Sequence, residues 1–420
     1  MRRIGFRTAA TICLLLAIAP GFVRGDEREA EILAREAERL ARDKKYDQAV
    51  EAIHKAIEMA PRNDRYLMVA SEIERRAGRF ADGVRHALAA IKINDKVGLY
   101  YALVAANAYG DQDGELALQY CRKVIAMGAK AVSQSVYDHA KQVEDLLLKK
   151  TYTITWNLDP SDPRKRQFVG DFLRVAVPKG YLPYQSATVE VNGARSYEIV
   201  KGEANDVAQI VPDGKKPFQV VMTVNVRPFS YKAKLARAGN EPLPREVYSY
   251  LGAGDGFDPA SPKLKQIVAG LKGQSAVETV RNIAVWLQKN VTCKQEAAYA
   301  SKLDFKSVNE LIDRGSAECR GYAILFMALC RAAGVPARPV LGLLLLPPKR
   351  YANHSWNEVY IAGCGWVPVD PQKPESFGWL PTDRVRIFMD VRKSSTSQEN
   401  LPLWNLLLMS GSKLEYELSR

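Results

Sequence analysis

Residues 315–338 read GSAECRGYAILFMALCRAAGVPAR, a short polar loop followed by a long apolar run. This pattern predicts a helix that begins near Cys319 and ends at Gly334, since glycine commonly follows the last turn of a helix. Unpaired backbone N–H groups and the helix dipole favour negative charge at a helix N-terminus. Cys319 is therefore predicted to be an acidic thiol, and the neighbouring N–H groups to accept an oxyanion. Cys330, three turns further along, is predicted to be a buried core thiol.

The chain has four histidines, and three of them, His54, His86 and His139, fall in the N-terminal helical segment, where packed or solvated side chains are the default. The fourth, His354, lies in NHSWNEVYI (353–361), an alternating strand that also carries Trp356 and Glu358, predicted to be framework residues, on the same face. The turn AGCG (362–365) then reverses the chain into WVPVDP (366–371). Because the outer ends of an antiparallel hairpin approach each other, Asp370 is predicted to lie near His354, where a carboxylate can orient an imidazole.

These segments together resemble the core of bacterial transglutaminase-like domains. The shared motifs are G-x-x-x-C, G-V-P-A-R, H-x-W-x-E-V and G-W-x-x-x-D-P, in this order between Gly315 and Pro371. The resemblance covers roughly residues 244–420 and implies a papain-like α+β fold. It also implies a triad in which Cys319 is the nucleophile, His354 the general base and acid, and Asp370 the orienting carboxylate. Animal cross-linking enzymes place a tryptophan upstream, where this chain has Asp304-Phe305, and this departure favours hydrolysis over cross-linking.

Residues 27–149 are alanine-rich and charged, and they repeat with a period of 34 residues. One set of small residues at this spacing is Ala49, Gly83 and Ala117. The period and pattern resemble tetratricopeptide (TPR) repeats, whose small residues let paired helices stack into a solenoid. Glu74 is a departure, because the equivalent residue one repeat earlier is Leu40. The prediction is a TPR-like domain at 26–149, closed by a capping helix, with an irregular array of helical hairpins as the alternative.

After residue 149 the periodicity changes from helical to two. Tyr152, Ile154, Trp156 and Leu158 alternate with polar residues, which predicts a half-buried strand. Further β-branched and aromatic segments follow, and Asn192-Gly193 predicts a hairpin. Residues 150–243 are therefore predicted to be an all-β sandwich. From residue 244 helices return, with amphipathic segments at 262–271 and 275–290, and the latter carries Trp286, predicted to be a packing residue.

The N-terminus has the pattern of a secretory signal peptide. Arginines precede a mostly apolar run at residues 9–19, and Pro20, Gly21 and the residues up to Gly25 have the pattern of a cleavage region, with cleavage predicted near Gly25. An uncleaved anchor is the alternative. Loss of residues 1–25 removes four arginines and lowers the formal net charge from +13 to +9. The mature chain is thus predicted to be periplasmic or extracellular, with association with the cell envelope as one reading of its basic surface. The sequence has no basic run with interleaved aromatic residues, so it gives no indication of a nucleic-acid site.

Cysteine usage leaves the redox state of two residues open. Five cysteines follow the predicted signal peptide, and this odd number leaves at least one thiol unpaired. Cys293 and Cys364 can form a disulfide or stay free. No Cys-x-x-Cys pair, His-Glu-x-x-His motif or calcium loop occurs, so neither a metal nor a cofactor is predicted.

The predicted protein is a multidomain α+β chain: a signal peptide (1–25), an α-solenoid (26–149), an all-β sandwich (150–243) and a transglutaminase-like domain (244–420). Its predicted activity is acyl transfer on peptide or side-chain amides through a thioester, as a peptidase, amidase or transglutaminase. The repeats are predicted to bind a protein partner. The competing prediction is a scaffold in which the C-terminal domain is ordered but catalytically inactive.

Overall fold

The structure is a computed structural model that describes residues 25–160, 168–169, 172–181, 183–202, 205–239, 241–254, 256–293, 307–346, 350–389 and 414–419. The predicted signal peptide lies outside these ranges, apart from Gly25. The chain divides into two compact units, residues 1–147 and 148–420. Within the described ranges, every helix is either too short or too polar to cross a bilayer.

The first unit is entirely helical where it is described, which confirms the predicted repeat array. Three antiparallel hairpins, α1–α2, α3–α4 and α5–α6, are followed by a short helix and a capping helix. The helices are α1 (Gly25–Arg42), α2 (Tyr46–Met59), α3 (Asp64–Arg76), α4 (Phe80–Ile93), α5 (Gly98–Gly110), α6 (Gly114–Met127), α7 (Ala129–Val132) and α8 (Gln134–Leu147).

Small residues at the 34-residue spacing allow these helices to approach closely. Ala49 and Ala117 have no exposed surface. Gly83 has no room for a side chain, because a Cβ there would lie 2.2 Å from Oδ1 of Asn107. Glu74 is also fully buried, at the core position that Leu40 occupies in the preceding repeat. The repeat therefore keeps its packing geometry but holds one carboxylate in its core.

The second unit combines sheets with helices. Its strands are β1 (Lys150–Leu158), β2 (Phe168–Val169), β3 (Phe172–Val177), β4 (Gln185–Asn192), β5 (Ala194–Lys201), β6 (Asp206–Pro212), β7 (Phe218–Val226), β8 (Phe229–Ser230), β9 (Thr292–Cys293), β10 (Ser316–Ala317), β11 (Ala337–Leu346), β12 (Arg350–Ile361), β13 (Gly365–Val369), β14 (Trp379–Leu380), β15 (Arg384–Met389) and β16 (Leu414–Ser419). Its helices are α9 (Lys232–Leu235), α10 (Pro262–Ala269), α11 (Ala276–Asn290), α12 (Val308–Arg314) and α13 (Cys319–Ala332), with 3-10 turns at Arg245–Leu251 and Pro374–Ser376.

Two four-stranded sheets form the sandwich. Sheet I has the order β16-β1-β7-β4, and sheet II has the order β2-β3-β6-β5. The alternating burial along β1 is as predicted. The hairpin predicted at Asn192-Gly193 is wrong, because β4 pairs with β7 in sheet I whereas β5 pairs with β6 in sheet II. Gly193, at φ 85°, instead turns the chain from one sheet to the other, since a glycine turn favours a reversal without dictating which strands then pair.

The boundary predicted between residues 243 and 244 does not separate two compact units. Residues 148–420 form one unit, and β16, from the segment assigned to the C-terminal domain, pairs antiparallel with β1 in sheet I. One apolar cluster joins sandwich residues such as Ile154 and Val220 to residues of β11 and β15, namely Leu341, Leu343, Leu345, Val385 and Ile387. Burial of this shared apolar surface holds the two parts together.

A third sheet and a central helix support the candidate site. Sheet III has the order β13-β12-β11-β15, with antiparallel neighbours. Helix α13 packs against β12 and β11 of this sheet and also against α10, α11 and α12. The predicted helices at 262–271 and 275–290 correspond to α10 and α11, and Trp286 packs against the core around α13, as predicted. Gly342 on β11 admits no side chain, since a Cβ would lie 2.4 Å from the Trp356 ring.

Candidate active site

Cys319 is the first residue of α13, as predicted. Helix α12 ends at Arg314 and is capped by Gly315, whose φ of 61° is left-handed, a conformation that glycine adopts without steric cost. The two residues of β10 pair in parallel with β9, and Glu318 then forms the N-cap of α13. A short, hydrogen-bonded connection between two helices thus places the thiol at the first residue of α13, and α13 ends just before Gly334, as predicted.

The prediction that this thiol is acidic is wrong, because the pKa of Cys319 is raised in the structure. Burial raises the pKa of Cys319 to about 12, with a further contribution from the negative charge of Glu318. A backbone hydrogen bond from Ser355 acts in the opposite direction but is outweighed. Oε2 of Glu318 lies 3.5 Å from the sulfur, so the carboxylate offsets the helix-dipole effect from which the acidity was predicted.

Glu318 also occupies N–H groups that were predicted to receive an oxyanion. Its carboxylate accepts hydrogen bonds from the backbone N–H of Arg320, at 2.8 Å, and of Gly321, at 2.7 Å. Acidic side chains stabilise helix N-termini in this way. An incoming oxyanion would therefore have to displace the carboxylate or use other donors.

His354 and Asp370 lie together, as predicted. Nε2 of His354 is 2.8 Å from Oδ2 of Asp370. The strand pairing explains this contact, because β12 and β13 are in register from Ile361 opposite Gly365 to Asn357 opposite Val369. Asp370 directly follows β13, and His354 lies three residues before Asn357 on β12. Both side chains are largely buried, with 12% and 4% of their surfaces exposed.

A second cation contacts the same carboxylate oxygen. Nη2 of Arg384, on β15, lies 2.9 Å from Oδ2 of Asp370, and its side chain is 3% exposed. Although burial acts to raise the pKa of Asp370, the charges of His354 and Arg384 and the hydrogen bond from His354 hold it well below its ordinary value. Asp370 is therefore an ionised carboxylate at neutral pH, as an orienting partner for imidazole must be.

Cys319 is brought beside the strand that carries His354. Its sulfur interacts with the backbone of Ser355, the residue after His354. Cys293 lies in the same neighbourhood, because the charges of Asp370 and Glu318 both act on its thiol. Burial, followed by these two charges, raises the pKa of Cys293 to about 11. Cys319, at the N-terminus of α13, thus lies beside the part of β12 that carries His354 and contacts Asp370.

Sequence reasoning missed Glu318 and Arg384. Glu318 stands next to the thiol in the sequence and occupies the N-cap position, where acidic residues are common, so its influence could have been anticipated. Arg384 gave no such signal, because it comes from a separate strand fourteen residues after Asp370. The Asp304-Phe305 pair lies outside the described residues.

Glu358 and Trp356 are packed as framework residues. Glu358 is buried and contacts Arg338 at 2.7 Å and Arg386 at 3.5 Å. Burial acts to raise its pKa, but these two cations lower it below the ordinary value. Trp356 is 1% exposed and packs with Val340. This ion network joins β12 to β11 and β15.

The cysteines of the described residues are all free. Cys330 has no exposed surface, as predicted, and burial raises its pKa. Cys293 and Cys364 remain thiols and do not form the disulfide that the sequence left open. Cys319 therefore remains available for chemistry.

Replacement of Glu318 by glutamine is expected to make the thiol more acidic. The variant removes the negative charge beside the sulfur while keeping an amide oxygen that can cap the helix. Alkylation by iodoacetamide, followed by intact mass across a pH series, should reach its half-maximal rate at lower pH than in the wild type, because only the thiolate reacts.

Glu310→Gln is the matched control, since Glu310 lies in the first turn of α12 and not of α13. It should leave the pH profile unchanged. An unaltered profile in Glu318→Gln would show that this carboxylate does not control the thiol.

The comparisons with known proteins define the class of this part of the chain. Residues 263–371 match the model of the transglutaminase-like superfamily, so they form a transglutaminase-like domain. This range includes all but the first residue of α10, the helices α11 to α13 and the strands β11 to β13, together with Cys319, His354 and Asp370.

Individual proteins that resemble this chain share at most 28% sequence identity with it among those described below. Kyphoscoliosis peptidase of Mus musculus is 28% identical over 142 residues, a region that spans 31% of this chain and 21% of the mouse protein. A crystal structure described as a candidate cysteine protease from Cytophaga hutchinsonii has a TM-score of 0.42 at 16% identity and covers 65% of this chain and 91% of that one. The TPR domain of Arabidopsis OM64 has a TM-score of 0.26 at 14% identity and covers 28% of this chain and 95% of that one.

Proposed function

We propose that this chain is an exported thiol enzyme that transfers acyl groups from peptide or side-chain amides through a Cys319–His354–Asp370 triad. The observation that carries the proposal is the buried 2.8 Å contact between His354 and Asp370, in a domain of the transglutaminase-like superfamily. The position of Cys319 beside Ser355 supports the same assignment.

The raised pKa of Cys319 favours general-base attack over a preformed thiolate. His354 takes the thiol proton as the sulfur bonds to the amide carbonyl carbon, and negative charge develops on the carbonyl oxygen. Asp370, ionised and hydrogen-bonded to Nε2, stabilises the imidazolium that forms. The other ring nitrogen is then the one that exchanges the proton with sulfur.

Collapse of the tetrahedral adduct breaks the carbon–nitrogen bond. The imidazolium donates its proton to the leaving amine, and a thioester remains on Cys319. Water or a second amine then attacks the thioester while His354 takes its proton, and the thiol is regenerated. Hydrolysis is the favoured outcome, because the upstream tryptophan of the animal cross-linking enzymes is replaced by Asp304-Phe305 in this sequence.

Export and partner binding belong to the same proposal. The N-terminal arginines and apolar run support passage across the cytoplasmic membrane, with cleavage near Gly25. The helical hairpins at residues 25–147 support a protein partner or substrate docked on the repeats.

The reaction class can be assigned by mass spectrometry. Periplasmic or extracellular proteins would be incubated with the wild type and with Cys319→Ala. Hydrolysis is expected to produce new peptide termini in the wild-type sample alone, whereas deamidation converts Gln to Glu and cross-linking produces isopeptide bonds. Identical products from both proteins would refute the enzyme proposal.

One observation favours the second candidate, an inactive scaffold. Burial, and after it the Glu318 carboxylate, raises the pKa of the thiol, and the same carboxylate occupies two N-terminal amides of α13. An active-site thiol probe separates the candidates: stoichiometric labelling of Cys319 that His354→Ala abolishes supports the enzyme. Equally slow labelling of both proteins would favour the scaffold.

A further inference from the structure

Two of the four histidines converge on one buried carboxylate in the helical repeats. Nε2 of His54, on α2, lies 2.8 Å from Oε1 of Glu74, and Nδ1 of His86, on α4, lies 2.8 Å from Oε2. Glu74 comes from α3, so each of three successive helices supplies one side chain. The two imidazole rings meet edge to face, with centroids 5.4 Å apart.

The position of Glu74 is unusual for a charged residue. The residues 34 positions away on either side are Leu40 and Ala108, both buried and apolar. A carboxylate in such a position is costly unless its charge is compensated. A divalent cation bound by the carboxylate and both imidazoles would supply the compensating charge. The cluster therefore has the composition of a metal site built into a repeat core.

The geometry also suits an ion. The candidate ligand atoms of His54, Glu74 and His86 all lie within 4.8 Å of one another. Ligands of a tetrahedral zinc ion, bound at about 2.0–2.2 Å, are separated by about 3.4 Å. Each N···O contact would lengthen by roughly 0.6 Å on metal binding, a change that side-chain rotation can provide.

The chemistry of the ligands selects the class of metal. Two imidazoles and one carboxylate suit zinc and similar borderline transition ions, whereas calcium and magnesium prefer all-oxygen sites. His54 is 38% exposed and His86 is 14% exposed. An ion therefore has a route from solvent on the His54 side, where water can complete its coordination.

We propose that His54, Glu74 and His86 bind a transition-metal ion, with zinc as the best match, and that the ion cross-links α2, α3 and α4. The site is separate in sequence and chemistry from the thiol site. Its role is structural: it neutralises a buried carboxylate and joins two helical hairpins of the repeat array.

Zinc content and affinity would be measured on the intact chain by elemental analysis after dialysis and by competition with a chromophoric zinc indicator. The wild type is expected to bind one equivalent, and zinc should raise its thermal unfolding temperature. His54→Gln and Glu74→Leu are expected to weaken binding by at least about 100-fold. Both variants should fold. Glu74→Leu introduces the residue that the preceding repeat has at the equivalent position, and His54→Gln changes a side chain that is already 38% exposed.

Two controls distinguish this site from others. His139→Gln removes a histidine of α8 and should leave binding unchanged, and Cys319→Ser removes the thiol that could compete for zinc. The cobalt derivative should show d–d absorption without a thiolate charge-transfer band. The proposal is overturned if the wild type does not bind stoichiometrically, if His54→Gln binds equally well, or if Cys319→Ser abolishes binding.

Discussion

Replacement of Cys319 by serine is expected to reduce turnover of a fluorophore-labelled casein by about 10⁴-fold or more, as removal of a nucleophile does in triad enzymes. Serine keeps the shape of the side chain, but its hydroxyl is a poorer nucleophile at the same position. Because Glu318 caps α13 through its own side chain, the helix should persist and the thermal unfolding temperature should change little.

Cys364→Ser is the matched control. Cys364 is also a partly exposed free thiol, but it lies in the turn between β12 and β13. This variant is expected to retain wild-type turnover and thiol labelling at Cys319. Loss of activity in Cys364→Ser, or full activity in Cys319→Ser, would remove the basis for the proposed nucleophile.

Replacement of Asp370 by asparagine is expected to lower turnover by about 10³- to 10⁴-fold, because the amide cannot hold the imidazole in the productive tautomer or stabilise its charged form. Stability should also fall at neutral pH. The folded-state pKa of Asp370 is below its unfolded value, so its stabilising contribution is complete above about pH 4 and is lost as the pH falls below that. Urea unfolding at pH 7 and at pH 3 should therefore show a smaller difference in the variant.

Asp383→Asn is the matched control for Asp370→Asn. The Asp370 variant changes a contact with His354 and a contact with Arg384, whereas, of these two partners, the Asp383 variant changes a contact with Arg384 only. Asp383 also contacts Arg384, at 3.5 Å, and the His354 contact is made by Asp370. The control is expected to keep most of the activity even if it is somewhat less stable. Equal loss of turnover in both variants would mean that Asp370 acts through Arg384 rather than through the imidazole.

Local sequence patterns were sufficient to predict most of the elements around the site. The apolar run after Cys319 predicted α13, and the alternation and turn at residues 353–371 predicted the β12–β13 hairpin that brings His354 to Asp370. These predictions hold because helix initiation and a four-residue reversal depend on neighbours in the sequence.

Predictions failed where distant segments compete. Asn192-Gly193 predicted a hairpin between β4 and β5, but β4 pairs with β7 and β5 pairs with β6. The domain boundary near residue 243 was expected from a change in periodicity, yet the strand at 414–419 returns to sheet I. Strand pairing is set by long-range contacts that a local pattern does not encode.

The sequence by itself determined the repeat period, the helix that begins at Cys319 and the hairpin that joins His354 to Asp370, because each depends on spacing within a few turns or strands. Only the tertiary structure decided the ionisation of the thiol and the partners of the buried charges. Burial and the field of Glu318 raise the pKa of Cys319, Arg384 joins Asp370, and His54 and His86 meet at Glu74. Electrostatic energies depend on distance and solvent exposure in space, and neither can be read from order along the chain.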